Sequence, residues 1–162
     1  MTDSGMARPM NILLVEDNRD DEELTTRALR KAPVTHQIVV ARNGLEAVEY
    51  LFGTGTHAGR DIRDQPDLVL LDLKLPKMNG LEVLQRIRSD DRTRLLPVVI
   101  LTSSNEDRDV VQGYELGANS FVQKPIDFKS FVDVVGQLGA YWSVVNQRMP
   151  AVARKSGELP TM

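Results

Sequence analysis

The stretch LVLLD at residues 68–72 is an uninterrupted apolar run that ends in an acid. Such a run is typical of a central parallel strand that is covered by helices on both faces. Similar runs occur at residues 11–15 (NILLV) and 97–102 (PVVILT), and shorter apolar segments occupy residues 36–41 and 120–123. The pattern therefore predicts five strands.

Segments with helical periodicity follow each of these strands, at residues 20–31, 44–52, 80–89, 107–116 and 127–145. Regular alternation of strands and helices implies an α/β fold, with a parallel sheet between two layers of helices. Ligands of such folds bind beyond the carboxyl ends of the strands. Side chains that can carry chemistry stand at those ends, and we expect them to converge: Glu16, Asp17, Asp72, Thr102 and Lys124.

The length of 162 residues suits one folded domain, which we place at residues 10–149, with a flexible leader at 1–9 and a disordered tail at 150–162. The chain has no cysteine, which excludes disulfides and thiolate chemistry. A net charge of -3 without a basic cluster argues against nucleic-acid or membrane-surface partners. No apolar run approaches the roughly 20 residues of a membrane span, and no export signal is apparent, so a cytoplasmic location is expected.

The three predicted carboxylates, Glu16, Asp17 and Asp72, would repel one another unless a cation joined them. Oxygen ligands without histidine or cysteine suit Mg²⁺. An acidic pair such as Glu16–Asp17 also occurs at helix starts that bind no metal, so the pair alone leaves the question open.

Asp72 is the candidate nucleophile, because a carboxylate oxygen can attack phosphorus and form an aspartyl phosphate. An Asp at the end of a strand can also simply cap the following turn. Lys124 would supply a positive charge, and a cis bond to Pro125 would turn it toward the site. The hydroxyl of Thr102 can donate to a phosphoryl oxygen, although each of these features is common without a functional role.

The motifs VEDN (residues 15–18), LLDLKLPKMNG (70–80), ILTS (100–103) and QKPID (123–127) together resemble the receiver domain of two-component response regulators. The resemblance covers residues 11–145. It implies a flavodoxin-like sandwich with a five-stranded parallel sheet of order 2-1-3-4-5 and five helices.

The same resemblance implies that Asp72 accepts a phosphoryl group from a phosphohistidine on a sensor kinase. Asp17 would ligate Mg²⁺ directly and Glu16 directly or through water, with Asp72 and the backbone carbonyl of Lys74 as the other protein ligands. Thr102 and Lys124 would contact the phosphoryl group, and the Lys124–Pro125 bond would be cis. The protein would catalyse only its own phosphorylation and dephosphorylation, and would not be an enzyme with a separate substrate.

Phe121 stands where the family places a switching aromatic residue, which is commonly Tyr. Without a hydroxyl, Phe121 cannot anchor either of two positions, so a switch of the usual amplitude is in question. An alternative role for Phe121 is that of a core aromatic residue in the last strand.

A narrower resemblance rests on the Gly-rich insertion at residues 53–66, on ELGANSFVQKPIDF (115–128) and on the Tyr141–Trp142 pair. These features are similar to the short response regulators that partner bacterial phytochrome histidine kinases. The output of such a regulator would be binding to a dimer mate, a kinase or a phosphotransfer protein.

The last predicted helix carries more apolar surface than one sheet can cover. We predict that it forms a homodimer together with the last strand, although the helix could instead wrap only its own domain. The predicted interface residues are Phe128, Phe131, Val135, Leu138, Tyr141, Trp142 and Val145.

Other classes of function compete with the receiver. A haloacid-dehalogenase-like phosphohydrolase would need a second Asp two residues after the nucleophile, where this chain has Lys74. A flavin-binding module would need a phosphate loop after Val15, where the acidic residues would repel a phosphate. A receiver that has lost phosphorylation and acts as a scaffold is a further alternative, against which the intact acid, Thr and Lys set argues.

Overall fold

The computed structural model describes residues 9–31 and 36–150. These residues form a five-stranded parallel sheet of order β2-β1-β3-β4-β5, which confirms the predicted fold. The strands are β1 (Met10–Val15), β2 (His36–Ala41), β3 (Leu68–Leu71), β4 (Val98–Thr102) and β5 (Ser120–Gln123). The helices are α1 (Arg19–Arg30), α2 (Gly44–Phe52), α3 (Gly80–Arg88), α4 (Asp107–Glu115) and α5 (Phe128–Ala140). Residues 1–8 and 151–162, which hold most of the predicted leader and tail, lie outside the described residues.

The core lies on both faces of the sheet. Every residue of β3 and β4 is buried, because helices cover these central strands from both sides. One hydrophobic cluster joins the sheet to α2 and α3 through residues such as Leu51 and Leu84. The other joins it to α1 and α5 through Leu29 and Phe131. Because both faces of the central strands are covered, a ligand can reach these strands at their ends.

Short polar side chains determine where four of the helices begin. Asn18, Asn43, Asn79 and Asp127 each accept a hydrogen bond from a main-chain N–H in the first turn of the helix that follows. An N-cap of this kind satisfies a donor that the helix itself cannot pair. Asn18 matters most for the site, because it fixes the start of α1 directly after the acidic pair.

The last helical segment differs from the prediction for residues 127–145. α5 ends at Ala140, and Tyr141–Val145 continues as a π-helical turn. In that turn Trp142 and Ser143 are buried, and Ser143 Oγ donates to the carbonyl of Gly139 at 2.5 Å. The wider turn thus rotates the indole of Trp142 into the core of its own domain.

The predicted interface set on this helix therefore divides in two. Phe131, Val135 and Trp142 are buried in the core, and Leu138 packs against them. Placing Phe131, Val135 and Trp142 at a dimer interface was wrong, because the sheet and α1 already bury them. Leu138 is only partly buried, so its place in the interface stays a prediction. The exposed members of the set are Phe128, Tyr141 and Val145.

The insertion at residues 53–66 is held by side chains of its own. The guanidinium of Arg60 stacks 3.9 Å from the ring centroid of Tyr50, and its Nε donates to the carbonyl of Tyr50 at 2.6 Å. The buried amide of Gln65 donates to the carbonyls of Leu51 and Ile62. These contacts tie the insertion to the end of α2.

Arg88 ties together three segments at the amino ends of β4 and β5. Its guanidinium donates to the carbonyls of Gly117, Arg94 and Leu96 and to the side chain of Asn119, at 2.7–3.0 Å. Burial lowers the pKa of Arg88. The carbonyls at the ends of α4 and of the loop before β4 provide the compensating partial negative charge.

Candidate functional site

The carboxyl ends of β1, β3 and β5 bring the predicted site residues together. Glu16 and Asp17 follow β1, Asp72 follows β3 and Lys124 follows β5. Main-chain bonds hold two of these ends in register: Asp72 N donates to Val15 O at 3.1 Å, and Lys124 N donates to Thr102 O at 2.7 Å. The prediction that residues distant in sequence converge on one patch is confirmed for these side chains.

Lys124 lies at the centre of this patch, with its side chain only 6% exposed. Its Nζ donates to Glu16 Oε1 at 2.6 Å and to Asp72 Oδ2 at 3.0 Å. A third bond, 2.9 Å long, runs to Asp21 Oδ2. Burial alone would lower the pKa of Lys124, but the charges of Asp72 and Glu16 raise it above its usual value. The ammonium is therefore held in its charged form.

Glu16 is buried, and both of its oxygens are engaged. Oε1 accepts from Lys124, and Oε2 accepts from the main-chain N–H of Asn18 at 3.2 Å. Burial raises the pKa of Glu16 to about 7, although the hydrogen bond from Lys124 opposes the shift. A carboxyl with this pKa changes its charge near neutral pH.

Glu16, Asp17 and Asp72 form an acidic cluster whose nearest carboxylate oxygens lie within 4.8 Å of one another. Asp17 is exposed, and it shares with Lys74 the lining of a cleft of about 500 Å³. Carboxylate oxygens around an open cleft match the preference of a hard divalent cation that keeps several waters. The donor set therefore fits such an ion.

Asp72 is buried, but it is not an isolated charge. Its Oδ1 accepts from the main-chain N–H of Leu73 at 2.7 Å and of Lys74 at 3.4 Å, while Oδ2 accepts from Lys124. These contacts hold the Asp72 carboxylate in a fixed orientation at the end of β3.

Thr102 is fully buried at the end of β4, next to the main chain of Lys124. Its hydroxyl oxygen accepts a long bond, 3.4 Å, from the N–H of Ser104. Ser104 in turn donates from its own hydroxyl to Asp109 Oδ2 at 2.5 Å, in the first turn of α4. The loop after Thr102 is therefore coupled to the start of α4.

Residues 12–136 match the family model of the response regulator receiver domain. The chain belongs to this family. It is 35% identical over 134 residues to response regulator Rcp1 of Synechocystis sp., covering 83% of this chain and 89% of Rcp1. The crystal structure of the Mn²⁺-bound form of Rcp1 superposes with a TM-score of 0.82 at 33% identity, covering 88% of this receiver and all of that chain.

Two further solved structures extend this comparison. The phosphorylated cyanobacterial phytochrome response regulator RcpA has a TM-score of 0.81 at 36% identity, over 86% of this receiver and 97% of that chain. The bacteriophytochrome response regulator AtBRR has a TM-score of 0.67 at 49% identity, over 86% of this receiver and 99% of that chain. None of these matches supports the phosphohydrolase alternative.

One expectation about the last strand of the receiver is contradicted, and the structure also places Phe121. The described residues contain no cis peptide bond, so the predicted cis Lys124–Pro125 bond is wrong. Lys124 reaches the acidic cluster with a trans bond, because pairing of its N–H with Thr102 O already directs the strand end there. Phe121 is partly buried, and its ring packs on Ile100 and over the space that Gly113 leaves in α4.

Asp21 is a site residue that sequence reasoning missed. It lies in the first turn of α1, and it contacts Lys124 as closely as Asp72 does. The spacing from Asn18 to Asp21 resembles a capping box, in which a polar N-cap is followed three residues later by an acid. That signal could have located the start of the helix, and with it the acid beside the site.

Among the described residues, no helix is long and apolar enough to cross a membrane.

Proposed function

We propose that this receiver accepts a phosphoryl group on Asp72 from a phosphohistidine of a sensor histidine kinase. The observation that carries the proposal is the contact of Lys124 Nζ with Asp72 Oδ2 at 3.0 Å beside the acidic cluster. In the reaction an Asp72 oxygen forms the new P–O bond while the P–N bond to the imidazole breaks, and the imidazole keeps the electron pair. Such a transfer needs mainly alignment and neutralisation of charge.

Glu16, Asp17, Asp72 and the backbone carbonyl of Lys74 would hold Mg²⁺. When bound, this ion would neutralise charge on the phosphoryl oxygens. Both oxygens of Glu16 already have partners, which favours its contact through a water molecule. The Mn²⁺-bound form of Rcp1 supports the binding of a divalent cation by this receiver.

Thr102 and Lys124 would bind the phosphoryl oxygens once Asp72 is modified. Phosphorylation adds negative charge and new acceptors at this edge of the sheet. A move of Thr102 toward them would pull the loop that contains Ser104 and is bonded to α4. Phe121, packed against α4, would shift with that element as a ring without a polar anchor.

A bacterial phytochrome kinase is our candidate for the phosphoryl donor, because RcpA and AtBRR are described as phytochrome response regulators. The exchange would take place in the cytoplasm. The signal would then pass by binding, to the kinase, to a phosphotransfer protein or to a second copy of the chain.

The homodimer is proposed through β5 and the exposed apolar residues that follow it. Phe128, Tyr141 and Val145 are 62%, 48% and 70% exposed, and Val144 adds to the same segment. Exposed apolar side chains at both ends of this helical segment favour a protein partner. Sedimentation should give a dimer at tens of micromolar protein, roughly the concentration of an ordinary assay; a monomer would rule this interface out.

The phosphorylation itself is tested with acetyl phosphate and Mg²⁺. The native chain should incorporate acid-labile phosphate, and D72N should incorporate none. D67N is a matched control, because Asp67 is also a buried Asp next to β3 but lies at the opposite end of that strand. Incorporation that persists in D72N would refute the assignment, as would loss of incorporation on removal of Asp67 alone in a folded variant.

A further inference from the structure

Asp21 reaches the buried cluster from a helix, whereas the other site residues reach it from strand ends. Its Oδ2 accepts from Lys124 Nζ at 2.9 Å, slightly shorter than the 3.0 Å bond to Asp72. The Asp21 side chain is 29% exposed, against 6% for Lys124. Asp21 is therefore the solvent-side partner of a buried ammonium.

A closed ring of hydrogen bonds fixes Asp21 in this position. Asn18 Oδ1 accepts from Asp21 N at 2.9 Å, and Asn18 N donates to Glu16 Oε2. Glu16 Oε1 and Asp21 Oδ2 both accept from Lys124, which completes the ring. Asp72 is outside this ring, so β1 and α1 hold Lys124 through bonds that do not involve Asp72.

The ammonium group has three N–H donors, and each has a carboxylate partner: Glu16, Asp21 and Asp72. A phosphoryl oxygen on Asp72 would take the N–H that now points to Asp72 Oδ2, and a second bond from Lys124 to the phosphoryl group would have to come from Glu16 or Asp21. Of the two partners in the ring, Asp21 is the more exposed, so water can replace Lys124 there at lower cost. Asp21 is thus the partner to be exchanged.

We propose that Asp21 is a positioning residue that competes with the phosphoryl group for Lys124. This inference rests on the proposed role of Asp72. In the unphosphorylated receiver Asp21 keeps the ammonium on the α1 side of the cluster. In the phosphorylated receiver it opposes the contact between Lys124 and the phosphoryl group, and so limits how strongly the phosphorylated state is favoured.

The test uses beryllium fluoride with Mg²⁺ as a non-covalent stand-in for the phosphoryl group, titrated into the full chain by calorimetry. D21N keeps the size of the side chain but removes the charge that holds Lys124. We expect D21N to bind beryllium fluoride about fivefold more tightly than the native chain, the effect of losing one competing ion pair. D21E, which restores the charge, should return the affinity toward the native value.

D20N is the matched control, since Asp20 lies in the same helical turn and loses the same charge. Equal tightening in D20N and D21N would overturn the inference, because a general reduction of negative charge would then explain it. Unchanged or weaker binding by D21N, even with an altered unfolding midpoint, would also overturn it and leave Asp21 a purely structural role. Failure of the native chain to bind beryllium fluoride or to take up acid-labile phosphate would instead refute the proposed function, and this inference with it.

Discussion

Gly80, the first residue of α3, packs directly against the main chain of Asp72. A Cβ atom at position 80 would overlap the carbonyl oxygen of Asp72 and lie 2.7 Å from Leu73 Cα. Gly80 N also donates to Leu73 O at 2.8 Å. The start of α3 thus serves as a support for the proposed phosphorylation site.

G80A should therefore displace the main chain of Asp72. We expect a loss of about 1–3 kcal/mol in the free energy of unfolding, as for other overpacked positions, together with slower phosphorylation by acetyl phosphate. Urea unfolding and acid-labile phosphate measure the two effects. G136A is the control, because nothing lies within 4 Å of a Cβ at position 136 in α5, and it should stabilise by about 0.4–1 kcal/mol. Native-like behaviour of G80A would contradict the predicted overlap.

The stability of the metal-free protein should depend on pH through Glu16. Its pKa is about 7 in the folded state, above the ordinary value of 4.5, so the folded state binds a proton more tightly than the unfolded chain. The resulting stabilisation is complete below pH 4.5 and is lost as the pH rises through 7. From pH 5 to 8 we expect the free energy of unfolding to fall by roughly 1–3 kcal/mol, since one pKa unit corresponds to about 1.4 kcal/mol.

E16Q should remove this slope, and Mg²⁺ should reduce it in the native chain because a cation favours the ionised carboxylate. Neither Asp90 nor Lys124 contributes to the change in the free energy of unfolding between pH 5 and 8. The pKa of Asp90 is lowered to about 2 by Arg92, so its contribution is lost only in acid. The pKa of Lys124 is raised, so the stability that its charge contributes is lost only in strong base. A slope that survives in E16Q would assign the dependence to another group.

The hydroxyl of Ser104 should contribute to the stability of the start of α4. S104A removes its bond to Asp109 Oδ2, and we expect a loss of about 1 kcal/mol in urea unfolding. It should also change the rate of phosphorylation, because the loop it holds is bonded to Thr102. S103A is the neighbouring exposed control and should leave stability unchanged. Equal effects of the two substitutions would rule out a specific role for the Ser104–Asp109 bond.

Val135 and Val145 allow the same substitution to be made on a buried and an exposed position of the C-terminal helical segment. Val135 is fully buried, whereas Val145 is 70% exposed. V135A should destabilise the fold by about 1–3 kcal/mol through the cavity it leaves. V145A should leave the unfolding midpoint of the monomer unchanged but weaken self-association in sedimentation. A dimer unaffected by V145A and by a polar substitution at Tyr141 would place any interface elsewhere.

The sheet and the core of the site were predictable because their signals are local and strong. Uninterrupted apolar runs mark β3 and β4, and the carboxyl-end rule then places Glu16, Asp17, Asp72 and Lys124 together. No knowledge of side-chain conformation is needed for that step. The functional roles of these residues remain predictions for the experiments above.

The contacts that were not predicted depend on details of a single turn. Asp21 reaches Lys124 because Asn18 caps α1 and lets the helix begin at Arg19. The apolar steps of three and four in the last helix do not distinguish residues that face the sheet from residues that face a partner. The π-helical turn then buries Trp142, and hydrophobic periodicity carries no signal for such a turn.

The guanidinium of Arg88 fastens the amino ends of β4 and β5 to the loops around them, at the far end of both strands from Thr102 and Lys124. A strand that is held at one end can change its direction more easily than it can shift along its own axis. Any response of these two strands to a new charge should therefore be a pivot, with the smallest displacement beside Arg88 and the largest beside the acceptor aspartate. Arg88 would thus confine displacement to the end of the sheet where Asp72 and Lys124 lie.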